Sequence, residues 1–378
     1  MRYSSIDIMR TIAIFVMVMV HFSENLSGYV PPFSGLGAPV FAILTGISYH
    51  LWVSGQQSKG KSEQEIFKVS VRRGLFVFWT GFAFNILVWL PEDTFNWDVL
   101  TFIGFGLLFL NLIRSMRLPV VVLIGLMAVL VSPFLRGLAD YKAYWTVGHF
   151  ECDLTLTDLL IGFTTTGYFP IFPWLAYPIA GYVTGRLVFP NDLHSDDAGL
   201  VPAKPEVAIG RPKVVSPWPV VFVGTALIAG SMTILTTRSL MPENVTKYFF
   251  GGWSMFPATI EYVMATIGMA LALFGLAYRM VDLNPNIRKL EGFLKITKTF
   301  SRYSLTIYIL HHIVHIWPLW IYGATQGDDP TAFWQLAMPV SYSLPLSLAF
   351  MACCYFALNW LGPDRRIGFE SWMRWLCD

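Results

Sequence analysis

About ten apolar stretches of membrane-spanning length follow one another along this chain. That succession constrains the fold more than any other feature. The stretches fall near 5–24, 35–54, 73–90, 98–113, 119–135, 169–187, 217–238, 254–279, 303–322 and 338–361. In lipid the backbone has no water to bond, so such runs read as helices that satisfy their own N–H and C=O groups. The expected fold is all-α: a polytopic integral membrane protein of about ten transmembrane helices. A further apolar segment, 155–167, is too short to span and reads as a re-entrant or interfacial helix. Composition agrees, with 13% charged residues against about 25% in soluble domains, and a mean hydropathy of +0.55.

Loop charge sets the expected orientation. Lys59, Lys61, Lys68, Arg72 and Arg73 fall in one alternate set of loops, with Arg114, Arg117, Arg186, Lys204, Arg211 and Lys213. Arg279, Arg288, Lys289, Lys295, Lys298, Arg302, Arg365, Arg366 and Arg374 complete that set. The other loops carry Glu92, Asp93, Glu151, Asp153, Asp328 and Asp329, with few cations. The positive-inside rule then places both termini in the cytoplasm. The whole chain, 1–378, reads as a single membrane-embedded domain, with 189–216 as a cytoplasmic linker between a six-span and a four-span part. The first span, interrupted by Asp7 and Arg10 and followed by no small-x-small site, reads as retained rather than cleaved. No internal repeat stands out, so an inverted-repeat transporter gains no support. A net charge of +2 without a basic helix argues against nucleic acid. The four cysteines form no ligand-like pattern and suggest no disulfide.

Chemistry is expected where ionisable groups lie at membrane depth. Arg10 and His21 both sit in the first apolar run, eleven positions apart. At about 100° per residue they return to within roughly 20° of one face, about 16 Å apart along the axis. Asp7 and Glu24 fall near the same stripe. The bland reading is an Asp7–Arg10 salt bridge near the inner interface plus a packed histidine. On the ninth span, Ser301, Ser304, Tyr308, His311 and His315 share one stripe and must face protein or water. His311 and His315, spaced i, i+4, could bind a metal, but no HExxH context supports this, and no metal is expected. Glu261, on the eighth span, could meet these histidines at similar depth and tune an imidazole as a base, or be structural. Arg72, Arg73, Lys295, Lys298 and Arg302 form an inner basic rim suited to anionic lipid or to the phosphates of coenzyme A. No Walker A, Rossmann, GxSxG or zinc signature occurs.

The run Asp7-Ile8-Met9-Arg10-Thr11-Ile12-Ala13 followed by His21 resembles the opening of the transmembrane acyltransferase superfamily. Further stretches resemble its heparan-alpha-glucosaminide N-acetyltransferase-like branch: 38–46, Trp97-Asp98-Val99-Leu100 onward to Gly104, Tyr168-Phe169-Pro170 onward to Leu175, Phe256-Pro257 through Gly268, and Ser304 through His311. Together they cover most of the chain in order. The resemblance implies transfer of an acyl group, acetyl by expectation, from cytosolic acetyl-CoA to a hydroxyl or amine of a sugar or glycan acceptor reached from the far side. It implies that His21 matches the acyltransferase histidine and Arg10 its charged partner. Two departures matter. The heparan enzyme has Asn where His21 stands and its catalytic histidine in the following loop, and here 22–34 contain no histidine, so the amino-sugar substrate does not carry over. Arg72-Arg73 matches the O-acetylase arginine pair only loosely.

The expected site is therefore His21, Arg10, Glu261 and His311 for catalysis, and Arg10, Arg72, Arg73, Lys298, Arg302 and Tyr308 for the cofactor. Acyl-CoA, a glycan acceptor and membrane lipid are the expected partners. Homo-oligomerisation stays open, and the compact chain suggests a prokaryotic inner membrane. The alternative is a proton-coupled transporter or permease using the buried histidines and Glu261. A third is a structural partner in envelope-polymer assembly.

Overall fold

The computed structural model describes residues 2–89, 94–146, 148–190, 215–284, 290–361 and 367–378. Most of the linker, including Lys204, Arg211 and Lys213, lies outside the described residues, as do Glu92, Asp93, Arg288, Lys289, Arg365 and Arg366. In chain order the helices are α1 (Ser4–Ser27), α2 (Gly37–Gln57), α3 (Glu63–Val88), α4 (Val99–Ile113) and α5 (Leu118–Leu138). A two-residue hairpin follows, β1 (Trp145–Thr146) with β2 (His149–Phe150). Then come α6 (Leu156–Ile161), α7 (Ile171–Trp174), α8 (Ala176–Val188), α9 (Trp218–Thr237), α10 (Glu243–Tyr248) and α11 (Ile260–Ala277). The last are α12 (Glu291–Arg302), α13 (Ser304–Gln326), α14 (Val340–Leu361) and α15 (Phe369–Cys377).

Among the described residues, eight helical stretches are long and apolar enough to cross a membrane. Two of the ten stretches read from sequence differ from these. α4 is apolar but only 15 residues long. α2 has 21 residues, but Thr45, Ser48, His50 and Ser54 dilute its apolar character. The 155–167 segment forms α6 and a π turn, Gly162–Thr166, and belongs to the candidate spanning stretch Leu156–Val188.

Burial divides the helices by job. α1, α2, α8 and α11 make the interior, while α5, α9 and α14 present Leu, Val and Phe outward, as a lipid-facing shell does. α2 runs antiparallel to α1, with Gly37 against Ala13 and Ser48 against Arg10. The α2–α8 crossing is the closest kind of helix contact. A Cβ on Gly46 would stand 2.0 Å from the Pro178 carbonyl oxygen, and one on Gly181 would stand 1.9 Å from that of Ile43. Only missing side chains allow backbones to approach this far.

One break was not legible from the apolar pattern. Tyr303 leaves helical geometry (φ −113°, ψ 28°) and separates α12 from α13. The new N-terminus is capped from a distant part of the chain. Glu370 of α15 accepts from the amides of Leu305 (2.6 Å) and Thr306 (3.1 Å) and from the Thr306 hydroxyl. These amides would otherwise be among the orphan donors of a helix start. Burial pushes the Glu370 carboxyl up from its ordinary range, partly offset by the hydrogen bonds it accepts.

Candidate active site

A cavity of about 1390 Å³ runs beside α1 from Arg2 and Tyr3 just before it to Glu24 and Asn25 in its last turn. Twenty-four residues of helix measure about 36 Å, more than a bilayer's apolar thickness of roughly 30 Å. Arg10 and His21 both line it, as their common stripe predicts.

At the α1 N-terminal end the wall is basic. Arg2, Arg10, Lys59, Arg73, Arg302 and Arg374 all contribute. The Asp7–Arg10 pair of the bland reading does not form. Asp7 accepts instead from Arg2 Nε (2.7 Å) and Nη2 (3.0 Å). Arg2, outside the apolar run, reaches forward over the first turn and pairs with it. Arg10 is left with hydroxyl partners only, donating to Ser48 Oγ (2.7 Å) and Ser301 Oγ (3.1 Å). Among the described residues no carboxylate pairs with it. A guanidinium held by neutral acceptors keeps its charge available to an anion. Arg73 lies over the Trp52 ring at 4.8 Å and is engaged by Asp378 at 2.9 and 2.5 Å. Arg302 lines the cavity, whereas Arg72 and Lys298 are exposed and do not. Of the cations expected to bind the cofactor, therefore, Arg10, Arg73 and Arg302 reach the cavity.

Further along α1 the wall carries the His21 imidazole, with three more imidazoles packed behind it. His21 lies beside His311 and His312 of α13, with ring centroids at 5.4 and 4.5 Å. One nitrogen from each of the three rings falls within 4.8 Å of the others. So close a set could hold a cation, though no metal was expected and its members are not the His311/His315 pair whose spacing raised that alternative. His315 is turned away to Asn25, whose Nδ2 lies 2.8 Å from its Nε2. Backbone carbonyls assign two tautomers, because a carbonyl only accepts. Nδ1–H of His315 donates to the His311 carbonyl (2.5 Å), and Nδ1–H of His311 donates to that of Ile307 (3.3 Å). His311 Nε2 is then a bare acceptor, buried without a partner among the described residues. His311, His312 and His315 are at most 3% exposed and stand behind His21, which alone of the four lines the cavity.

One turn before His311, Tyr308 faces the cavity and donates to Asp98, 3.0 and 2.9 Å from its two carboxylate oxygens. Asp98 also caps α4 through the Leu100 amide (3.2 Å). Reading it only as the start of an apolar run hid this role. A carboxylate placed before a helix too short to span was the available signal.

Glu261 is not brought to this site. It is fully buried, and its Oε1 accepts from the Gly252 amide at 2.9 Å. The α11 backbone is held against α9 there, with Ser231 Oγ donating to the Glu261 carbonyl (2.7 Å). The periodicity placed Glu261 at a suitable depth but could not give the direction in which α11 faces.

At the α1 C-terminal end, Glu24, Asn25 and Gln335 share the wall with His149 of the hairpin and with Trp89, Tyr168 and Trp334. Polar groups among aromatic faces occupy this mouth, where cations occupy the other.

The membrane-embedded α-helical body thus holds a cavity with cations at one end and the His21 imidazole further in. Residues 2–216 match the family described as Heparan-alpha-glucosaminide N-acetyltransferase, catalytic. That match covers more than half of the 378 residues, and the chain belongs to this family of acetyltransferases. No curated protein matches the chain.

Proposed function

We propose that the protein transfers an acetyl group from cytosolic acetyl-CoA to a hydroxyl or amine of a glycan presented at the opposite face. The observation that carries this reading is that one cavity contains both Arg10 and His21. The donor enters at the basic end, in the cytoplasm by the loop-charge argument. Arg10, aided by Arg302 and by Arg73 when Asp378 releases it, holds the phosphates. The ~16 Å between Arg10 and His21 is a span that an extended pantetheine arm covers, which brings the thioester beside the imidazole. The acceptor enters between Trp89, Tyr168 and Trp334.

His21 acts as the general base. Its ring nitrogen takes the proton of the acceptor O–H or N–H as the new bond to the acyl carbon forms and the C–S bond breaks. His311 is a positioning residue. Its unpartnered Nε2 lies in the same cluster as the His21 ring, centroids 5.4 Å apart, and biases which His21 nitrogen stays unprotonated toward the cavity. Glu261 supports the fold rather than the chemistry.

The decisive experiment supplies purified wild-type and His21→Ala protein with labelled acetyl-CoA and candidate glycans. Label should reach an acceptor only with the wild type. A variant that folds and transfers at the wild-type rate overturns the role of His21. Failure of wild-type protein to bind acetyl-CoA would instead favour a permease, which has no need of that ligand.

A further inference from the structure

We propose that His21, His311 and His312 form a binding site for a divalent transition cation of the zinc class, and that filling it silences His21 as a base. The binding half stands on the cluster alone. The silencing half rests on the acyl-transfer reading above.

The cluster forms where α1 packs on α13. His311 and His312 are neighbours on α13, so their side chains leave the helix about 100° apart. The His21 ring, from α1, meets both. Ring centroids stand 4.0 Å apart for His311 and His312, 4.5 Å for His21 and His312, and 5.4 Å for His21 and His311. One nitrogen of each ring lies within 4.8 Å of the other two. Zinc–nitrogen bonds of about 2.0–2.1 Å in a tetrahedral shell set ligand nitrogens roughly 3.3 Å apart. The remaining closure falls to side-chain rotation. His21, less buried than the others and on the cavity wall, is the ring with room for it.

A second observation points to a ligand. His311 Nε2 and His312 Nδ1 are buried without a hydrogen-bond partner among the described residues, on side chains 0% and 1% exposed. Native structures seldom leave buried polar atoms so, and here two lie in one cluster. Nε2 of His311 offers a lone pair, because its Nδ1–H is donated to the Ile307 carbonyl. A carbonyl in that position is the outer partner that commonly fixes the tautomer of a metal-bound histidine. Neutral imidazoles suit zinc, copper or nickel, whereas magnesium and calcium take oxygen ligands. Asp98, bonded to the Tyr308 hydroxyl, brings a carboxylate to the same wall, with the Tyr308 centroid 5.8 Å from that of His312.

The consequence for His21 follows from electron counting. A neutral imidazole has one nitrogen lone pair. Base action needs it on the nitrogen that faces the cavity. A cation in the cluster takes it on the other nitrogen, so the ring hydrogen sits on the cavity side. His21 then presents an N–H where the proton of the acceptor would have gone. Cation and proton compete for one electron pair.

The test uses the full chain, purified without a polyhistidine tag and stripped with a chelator. Zinc is titrated by calorimetry, and cobalt(II) reports the imidazole shell by visible absorption. Wild type should bind one equivalent. His312→Phe exchanges one aromatic ring for another beside Phe84 and Trp89. It should weaken binding by at least about 10²-fold, as should His311→Gln. His149→Ala, at the cavity mouth, should bind as wild type does. Thermal unfolding checks each variant, and if one ligand variant does not fold the other carries the comparison. Saturating zinc should lower acetyl transfer by wild type at least about 10²-fold, restored by chelator, and leave His312→Phe unaffected. No zinc bound by wild type, or wild-type affinity in a folded ligand variant, overturns the site. Zinc bound with transfer unchanged overturns the silencing. If stripped wild type binds zinc but transfers no acetyl group from acetyl-CoA to any candidate glycan, the acyl-transfer reading fails and the site stands.

Discussion

The two ends of the cavity are built from opposite materials. Near the start of α1, cations crowd the wall, and Arg10 is held only by the hydroxyls of Ser48 and Ser301. Near its end, four imidazoles and an amide gather with no cation from Lys or Arg among the described lining residues. The first arrangement is suited to gripping charge that arrives from outside. The second has tautomers pinned by carbonyl groups and is suited to moving a proton. One helix supplies the central residue of each, so grip and chemistry are separated by three turns of α1 and should be separable by experiment.

The sharpest break comes from His21→Ala. It should lower kcat by about 10²- to 10⁴-fold with KM for acetyl-CoA little changed, as read from initial rates. Arg10→Ala should do the reverse. Loss of a charge-assisted hydrogen bond, worth about 1.5–3 kcal/mol, should raise KM roughly tenfold to a hundredfold and spare kcat. If either substitution moved both constants equally, the division between the two ends would fail. A smaller effect is expected from Asp378→Ala. The Arg73–Asp378 pair is part-exposed, at 19% and 39%, and such pairs contribute about 0.2–1 kcal/mol. Freeing Arg73 should therefore lower KM by less than about fivefold, measurable by titration of acetyl-CoA binding. Glu261→Gln should be smallest on turnover. It retains an acceptor for the Gly252 amide, so the rate should stay within about twofold while thermal unfolding reports any change in stability.

Much of this arrangement was legible before any coordinates. Helical periodicity alone puts Arg10 and His21 on one stripe, and polar residues on a membrane helix must avoid lipid, so a shared interior followed. Partner choice was not legible. Arg2 lies outside the apolar run, yet its reach decides that Asp7 is neutralised elsewhere and that Arg10 stays available. The stripe from Ser301 to His315 was read as one helix, but the cap from Glu370 restarts the helix at Ser304. Ser301 consequently belongs to α12 and serves Arg10 rather than extending the histidine row. Asp98 was hidden because its depth depends on where α4 begins within the layer, a tertiary property. For Glu261, periodicity fixed the height along α11 but not the azimuth, and it is the azimuth that keeps this carboxylate out of the cavity.

The address of the guanidinium is inherited from two absent methyl groups. Gly46 stands two residues before Ser48 on α2, and its backbone is clamped against α8 with no slack for a side chain. Ser48 therefore sits beside one of the tightest backbone approaches among the described residues, and through its hydroxyl so does Arg10. A lineage that replaced either glycine with alanine would shift its anion hook off axis without touching a single charged residue.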